Sequence, residues 1–225
     1  MAELIKFATP VFRASFPEFF KAESYDGGPP KFGVSAVWTP SGFTDKEKVL
    51  WKKILTALDG EAKQRFKKSL KELKALNAEG GNFKLVPRNG ATKADMEGYG
   101  EGTVFANLTT KMRPGLIDLR KRPIVSTADE ALIQKYEDEG REYVVDENGS
   151  IVYPGCYCRA TVTVYSYDNK GKGIALGLMN VQKVRDGDRL DSRTDAAADF
   201  DDDLLDNMED ETEDFLEDDG DDIAF

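Results

Sequence analysis

One stretch of the sequence alternates two kinds of side chain with the period of a β-strand. One face would carry tyrosines, threonines and a single arginine, namely Tyr157, Arg159, Thr161, Thr163, Tyr165 and Tyr167. Tyrosine rings offer flat surfaces on which unpaired bases stack, and an arginine can pair with a phosphate or stack on a base. This face predicts a binding site for single-stranded nucleic acid.

The same pattern has a purely structural interpretation, because Tyr and Thr are good strand formers that make stable cross-strand pairs. On this strand alone the two interpretations are equally supported. A second predicted strand repeats the division, with Val104, Ala106 and Leu108 pointing inward and Phe105, Asn107 and Thr109 pointing outward. Two strands with an aromatic and polar outer face favour binding, with Phe105 as a further stacking residue.

Basic residues cluster after residue 110, next to these strands. They fall into three groups: Lys111 and Arg113; Arg120, Lys121 and Arg122; Lys183, Arg185 and Arg189. Neutralising the phosphates of a nucleic acid needs positive charge of this kind along a groove. The phosphate contacts that we expect are Lys111, Arg113, Arg159, Lys183 and Arg185.

The composition excludes most catalytic chemistry. The 225 residues include no histidine and only two cysteines. Without histidine there is no Ser-His-Asp or Cys-His triad and no histidine-ligated zinc, and two cysteines cannot form a four-cysteine zinc site. No other catalytic arrangement of residues stands out, so we expect no enzyme activity, no cofactor and no bound metal.

Charge is divided unequally along the chain. The 31 basic and 42 acidic residues give a net charge of −11, but residues 195–225 hold 16 acids and no base, which leaves residues 1–194 at about +5. Such an acidic tail cannot bury enough apolar surface to offset the entropy lost on ordering, so we expect it to be disordered. Acids lead into a short apolar end, and the predicted partner-docking residues are Asp221, Asp222, Ile223 and Phe225.

The elements that would hold these residues run from strands to helices and back to strands. Strands are predicted at residues 7–16, 31–39, 103–110 and 114–119, and helices at 44–58, 61–77 and 129–139. Thr44 and Glu47 form the capping box of the first helix, and Gly80-Gly81 ends the second. Residues 143–145 and 151–153 could flank a hairpin through the turn at 147–150.

The clearest predicted element is a long hairpin of residues 156–167 and 173–184. The face opposite the tyrosines is small and suited to a core: Cys156, Cys158, Ala160, Val162, Val164 and Ser166. Cys156 and Cys158 share this face at a spacing too long for an easy disulfide, so we expect buried thiols. Trp38 shares its strand face with apolar residues and is expected in the core rather than on a stacking surface.

Several blocks of the sequence resemble a family of phage single-stranded-DNA-binding proteins with an OB fold. They are residues 13–17 (RASFP), 98–99 (GY), 111–115 (KMRPG), 153–160 (YPGCYCRA) and 180–187 (NVQKVRDG). The resemblance extends over about residues 1–200 and is densest over 153–187. Separately, the acidic tail resembles the C-terminal tip of bacterial single-stranded-DNA-binding proteins, with Phe225 retained and Ala224 in place of a proline.

The resemblance implies a mainly β protein with inserted helices. Residues 1–194 would form an OB fold, a five-stranded Greek-key barrel with helices inserted around 44–77, and residues 195–225 a disordered acidic tail. Such a protein coats unpaired DNA without regard to sequence in phage replication and recombination, in the cytoplasm of the infected bacterium. The tail would compete with DNA and recruit replication or recombination proteins.

An alternative from another class is an acidic-tailed interaction protein, a DNA mimic or chaperone that binds basic partners. It accounts for the tail but gives the basic, aromatic body no role. No uncharged apolar run reaches the roughly 18 residues that span a bilayer, so we expect no membrane contact. The sequence leaves the oligomeric state open.

Overall fold

The computed structural model describes residues 5–24, 27–168 and 171–190. Its strands are β1 (Phe7–Ala8), β2 (Phe12–Glu23), β3 (Lys31–Trp38), β4 (Phe83–Lys84), β5 (Arg88–Asn89), β6 (Val104–Thr110), β7 (Gly115–Ile117), β8 (Ile124–Ser126), β9 (Val144–Asp146), β10 (Tyr157–Asp168) and β11 (Lys172–Arg185). Its helices are α1 (Asp45–Phe66), α2 (Leu70–Ala78) and α3 (Glu130–Asp138). None of the helices in these ranges is long and apolar enough to cross a membrane.

Five strands close into a barrel in the order β2, β3, β6, β11, β10 and back to β2. β3 and β6 pair antiparallel from Phe32–Thr110 to Trp38–Val104, whereas β11 runs parallel to β6. Helices α1 and α2 are inserted between the second and third barrel strands. The predicted OB fold, a five-stranded barrel in a mainly β protein with inserted helices, is confirmed.

The barrel core is built around a group of aromatic rings. Trp38 is 1% exposed and meets Phe12 edge to face, with ring centroids 5.7 Å apart. On its other side lies Trp51 of α1, at a centroid distance of 5.0 Å. Burying side chains of this size stabilises the fold by about 1.5–3 kcal/mol each, which ties α1 to the barrel. The prediction that Trp38 belongs to the core is confirmed.

Helix α1 begins where the sequence predicted and ends later. Thr44 accepts a hydrogen bond from the Glu47 amide, and the Glu47 carboxylate accepts one from the Thr44 amide. The helix continues through Gly60 to Phe66 and ends at Lys67, which has a left-handed φ of 57°. The expected break near residue 60 was wrong. One glycine destabilises a helix by only about 1 kcal/mol, and the stabilisation from packing this helix against the barrel is larger.

Helix α2 begins with a second capping box that the sequence analysis missed. The Ser69 hydroxyl accepts from the Glu72 amide at 3.2 Å, and the Glu72 carboxylate accepts from the Ser69 amide at 2.6 Å. These two hydrogen bonds hold the start of the helix, whose Leu70 and Leu73 are buried in the core. The Ser-x-x-Glu spacing was the available signal for this boundary.

The expected hairpin between residues 143–145 and 151–153 was wrong. Strand β9 pairs instead with β8, in parallel, and α3 connects the two strands as a β-α-β unit. Residues 151–153 are not a strand: the Asp146 carboxylate accepts hydrogen bonds from the amides of Ile151 and Val152. The Asn148-Gly149 turn therefore folds the chain back over one carboxylate rather than joining two strands.

The long β10–β11 hairpin has the predicted alternation. Its inward residues Cys156, Cys158, Ala160 and Val162 are all buried. Both cysteines are buried free thiols, as expected, and their sulfur atoms are in contact at 3.7 Å. Hydrogen bonding to Cys156 and burial raise the pKa of the Cys158 thiol, which keeps it protonated and inert.

Removing the Ser69 hydroxyl tests the capping box of α2. We expect Ser69→Ala to lower the free energy of unfolding in urea by about 1 kcal/mol, because the Glu72 amide loses its acceptor. Ser41→Ala is the matched control: Ser41 is exposed and caps no helix, so a change below about 0.5 kcal/mol is expected. Equal losses in the two variants would contradict a stabilising role for this box.

Candidate nucleic-acid interface

The outward face of β10 is open to solvent along much of its length. Arg159 is exposed, Tyr165 is 40% exposed, and the other outward residues are half-buried: Tyr157, Thr161, Thr163 and Tyr167. The Tyr165 and Tyr167 rings are neighbours, with centroids 6.4 Å apart and planes inclined by 45°. The register expected for β10 is therefore present, and it places two rings together at one end of the strand.

Small residues on β11 make room for these rings. Gly173, Ala175 and Gly177 of β11 lie opposite Tyr167, Tyr165 and Thr163 of β10. A methyl group at Gly173 would come within 2.5 Å of the Tyr167 hydroxyl, and one at Gly177 within 3.5 Å of the Tyr165 ring. The tyrosines thus lean across β11, and a larger residue beneath Tyr167 would displace its ring.

The same face continues onto β6 and β3, because Gly177 is also opposite Thr109 in the parallel pairing of β11 with β6. There the sheet forms the floor of a groove of about 480 Å³, to which Gly33, Ser35, Asn107 and Thr109 contribute. In OB folds the second and third strands and the adjacent loops bind oligonucleotides, and here these strands are β3 and β6.

The walls of this groove come from segments far apart in the chain. Phe16 of β2, which is 52% exposed with a φ of 50°, lines the groove, and so do Lys93 and Met96. The sequence analysis missed the groove, because only tertiary folding brings these residues together. It adds an exposed aromatic ring and a lysine to the candidate interface.

Phe105 is not available for stacking, which corrects the prediction. It points away from the barrel core as expected but is only 1% exposed. The guanidinium carbon of Arg88 lies 4.3 Å from its ring centroid, and the Tyr99 ring meets it edge-on at 5.2 Å. Residues 88–102 fold back over the outer face of β6, and no local pattern in the strand shows this covering.

Arg88 is a cation that the sequence analysis did not single out. Strand β5 pairs with β6 so that Arg88 lies opposite Phe105. Contact with that ring removes water from the guanidinium and so lowers the pKa of Arg88, although Tyr99 and Tyr167 nearby favour its charged form. Within the described residues Arg88 forms no salt bridge.

Tyr157 and Arg185 are stacked on each other. The guanidinium carbon of Arg185 lies 3.4 Å from the Tyr157 ring centroid, and Gly187 lies against the edge of the same ring. One face of the Tyr157 ring is therefore occupied, and the exposed layer of this stack is the Arg185 guanidinium. At this end of β10 the structure presents a supported arginine rather than a bare tyrosine.

Two further predicted cations remain accessible. Arg159 donates from Nε to the Gln182 side chain at 2.7 Å, which leaves its two terminal nitrogens for an anion. Lys111 is exposed just after the end of β6. Both positions are compatible with phosphate contacts.

Two other predicted cations are held in ion pairs, and their expected phosphate contacts stay predictions. Both terminal nitrogens of Arg113 donate to the Asp129 carboxylate, and this hydrogen bonding lowers the pKa of Asp129. Lys183 lies 2.6 Å from Asp186, and its side chain is only 15% exposed. A phosphate that binds Arg113 or Lys183 would have to compete with a carboxylate already in place.

The predicted docking residues Asp221, Asp222, Ile223 and Phe225 lie outside the described residues. Within the described ranges, no three histidine, cysteine or acidic side chains are grouped so that they could hold a metal ion.

The sequence has recognisable relatives among phage proteins. The profile of a family described as "Enterobacter phage Enc34, ssDNA-binding protein" matches residues 5–216. A protein of Acyrthosiphon pisum secondary endosymbiont phage 1, "Putative protein p50", is 35% identical over 101 residues, which is 45% of this chain and 42% of that protein. The chain thus aligns with less than half of the length of that relative.

Solved structures of phage proteins share the fold. The single-stranded DNA-binding protein from bacteriophage Enc34 in complex with ssDNA is 19% identical, with a TM-score of 0.58 over 83% of this chain and 89% of that one. The protein gp2.5 of bacteriophage T7, also a single-stranded DNA-binding protein, is 13% identical, with a TM-score of 0.50 over 88% and 96%. With most of its length matched by the family profile, the chain belongs to the Enterobacter phage Enc34 ssDNA-binding protein family.

Proposed function

We propose that this protein binds single-stranded DNA without regard to sequence and coats unpaired strands in phage replication and recombination, in the cytoplasm of the infected bacterium. The observation that carries the proposal is the open outer face of the barrel, where Tyr165, Tyr167 and Arg159 lie on one strand. Family membership and the DNA-bound Enc34 structure support it.

The roles of the residues follow from what each one leaves accessible. Tyr165 and Tyr167 would stack on bases, and Arg88, beside Tyr167, would neutralise a nearby phosphate. Arg185 would stack on a base while Tyr157 supports it from beneath. Arg159 and Lys111 would contact phosphates along the path.

The acidic tail would act on the same face. Residues 195–225 carry 16 acids and no base, and a tethered segment of this kind has an effective concentration on the order of millimolar. It would compete with DNA for the basic residues even with a poor intrinsic affinity. Binding of a strand would then release the tail, and Asp221, Asp222, Ile223 and Phe225 would dock a replication or recombination protein.

Tyr165→Ala tests the stacking face. We expect the parent protein to bind fluorescently labelled oligo-dT, measured by anisotropy, and the variant to bind about 5- to 150-fold more weakly, since stacking contributes ~1–3 kcal/mol per base. The melting temperature should stay nearly unchanged, because Tyr165 lies on the solvent side of the sheet.

Tyr143→Ala is the matched control, since Tyr143 stacks on Tyr136 in the β-α-β unit and not on the barrel face. It should bind oligo-dT like the parent. Unchanged affinity in Tyr165→Ala would overturn the stacking assignment. If the parent protein does not bind oligo-dT but does bind basic proteins, the result supports the alternative of an acidic-tailed interaction protein.

Deletion of residues 195–225 tests the competition. We expect the truncated protein to bind oligo-dT more tightly than the full chain at low salt, and the difference to shrink as salt rises and screens the attraction of the tail. Affinities should be compared at about 20 mM and about 300 mM salt. These concentrations lie below and above the 0.1 M at which the Debye length is ~10 Å. Equal affinities at low salt would rule out competition.

Deletion of Phe225 alone tests docking separately from competition. The side chain carries no charge, so we expect the DNA affinity to stay within about twofold of the parent value. Binding of the phage or host replication protein that the full chain captures should be lost. Retained capture without Phe225 would overturn the docking role and leave the competition untouched.

A further inference from the structure

Residues 118–122 form a tight turn between β7 and β8, held by one carboxylate. Asp118 accepts hydrogen bonds from the Arg122 amide and from Arg122 Nε, each at 2.8 Å. The backbone closes the turn as well, because the Asp118 amide donates to the Arg122 carbonyl at 3.0 Å and the Lys121 amide donates to the Asp118 carbonyl at 3.1 Å. Four hydrogen bonds between Asp118 and residues 121–122 therefore define the shape of this turn.

The tip of this turn presents an apolar side chain beside two free cations. Leu119 is 62% exposed, and Arg120 and Lys121 are exposed next to it. Arg122 is committed to Asp118, but within the described residues neither Arg120 nor Lys121 forms a salt bridge. Lys121 has a φ of 63°, a conformation that L-residues other than asparagine and aspartate seldom adopt, so the turn holds a lysine where glycine would be less strained.

The turn is fastened to the candidate interface through a single glutamine. Gln182 of β11 donates from Nε2 to the Asp118 carbonyl at 2.8 Å, and its Oε1 accepts from Arg159 at 2.7 Å. Strand β7, which leads into the turn, pairs with β11 so that Ile117 lies opposite Gln182. Arg159 on the open face and the Leu119-Arg120-Lys121 tip are therefore linked by consecutive hydrogen bonds.

We propose that this turn is a second DNA-contacting element, which extends the path of the strand beyond Arg159. Arg120 and Lys121 bind two further phosphates, and Leu119 packs against a base or sugar between them. Proteins that bind nucleic acids combine apolar side chains, which contact the bases, with basic side chains, which bind the phosphate backbone. Leu119 next to Arg120 and Lys121 is such a combination. The inference rests on the proposed single-stranded DNA binding and assigns to it a site outside the barrel strands.

The test is a salt titration of a charge-neutral variant, Arg120→Gln/Lys121→Gln, in the full chain. The probe is an oligo-dT of about 30 nucleotides, longer than the ~16 that one OB fold covers. Each phosphate contact on a single strand contributes about 0.7 to the slope of log K against log salt, so the loss of two contacts should reduce the slope by about 1.4. At low salt we expect a loss of affinity of about tenfold or more.

Lys71→Gln/Lys74→Gln is the matched control, because it removes the same charge from exposed positions on α2. It should change the affinity less than about twofold and leave the slope unchanged. Leu119→Ala should weaken binding about threefold with an unaltered slope, since no charge is removed. Melting temperatures of all three variants should match that of the parent.

The outcomes separate the two proposals. If the parent binds oligo-dT and the turn variant has the slope and affinity of the lysine control, the turn makes no phosphate contact and the inference is overturned. If Leu119→Ala binds like the parent, the apolar contact is overturned. If the parent itself does not bind oligo-dT, the proposed function fails.

Discussion

Strand β11 constrains more of this structure than any other element, because it pairs with β10 along one edge and with β4, β6 and β7 along the other. The outward side chains of a central strand lie between the outward side chains of its two neighbouring strands. The outward positions of β11 are occupied by the small residues Gly173, Ala175 and Gly177. The tyrosines of β10 can therefore lie across β11. The pairing that closes the barrel therefore also produces a continuous surface from β10 to β6.

The sequence predicted best where the physics is local. Alternation with a period of two located β10 and the sides to which its residues point, because a strand shifted by one residue would bury Arg159 and Tyr165 and expose the cysteines. The Thr44-x-x-Glu47 spacing located the start of α1 for the same reason, since a capping box needs only four residues. The barrel itself was implied by the resemblance, as no local pattern states which strands meet.

The failures have a common cause in long-range structure. Phe105 has the outward direction expected of it, but residues 88–102 cross over it and remove it from solvent. The hairpin expected around Asn148-Gly149 does not form, because β9 pairs with β8 instead. Helix α3 makes that parallel pairing possible. Arg113 looks like any other basic residue in the sequence, and only the fold brings it to Asp129, whereas Lys183 and its partner Asp186 are three residues apart.

The covering of Phe105 also bears on motion. Phe105 is only 1% exposed, yet it is not part of the barrel core and is buried beneath Arg88 and Tyr99 of the covering segment. Tyr99 attaches this segment to the sheet, because its hydroxyl donates a hydrogen bond to Ser35 and its ring meets Phe105 edge-on. A covering segment of this kind can open without unfolding the barrel, so the amide protons of residues 88–102 would exchange at a lower free energy than those of β3 and β6. Lys93 and Met96 belong to the same segment, so an opening of residues 88–102 would move two of the side chains that line the groove.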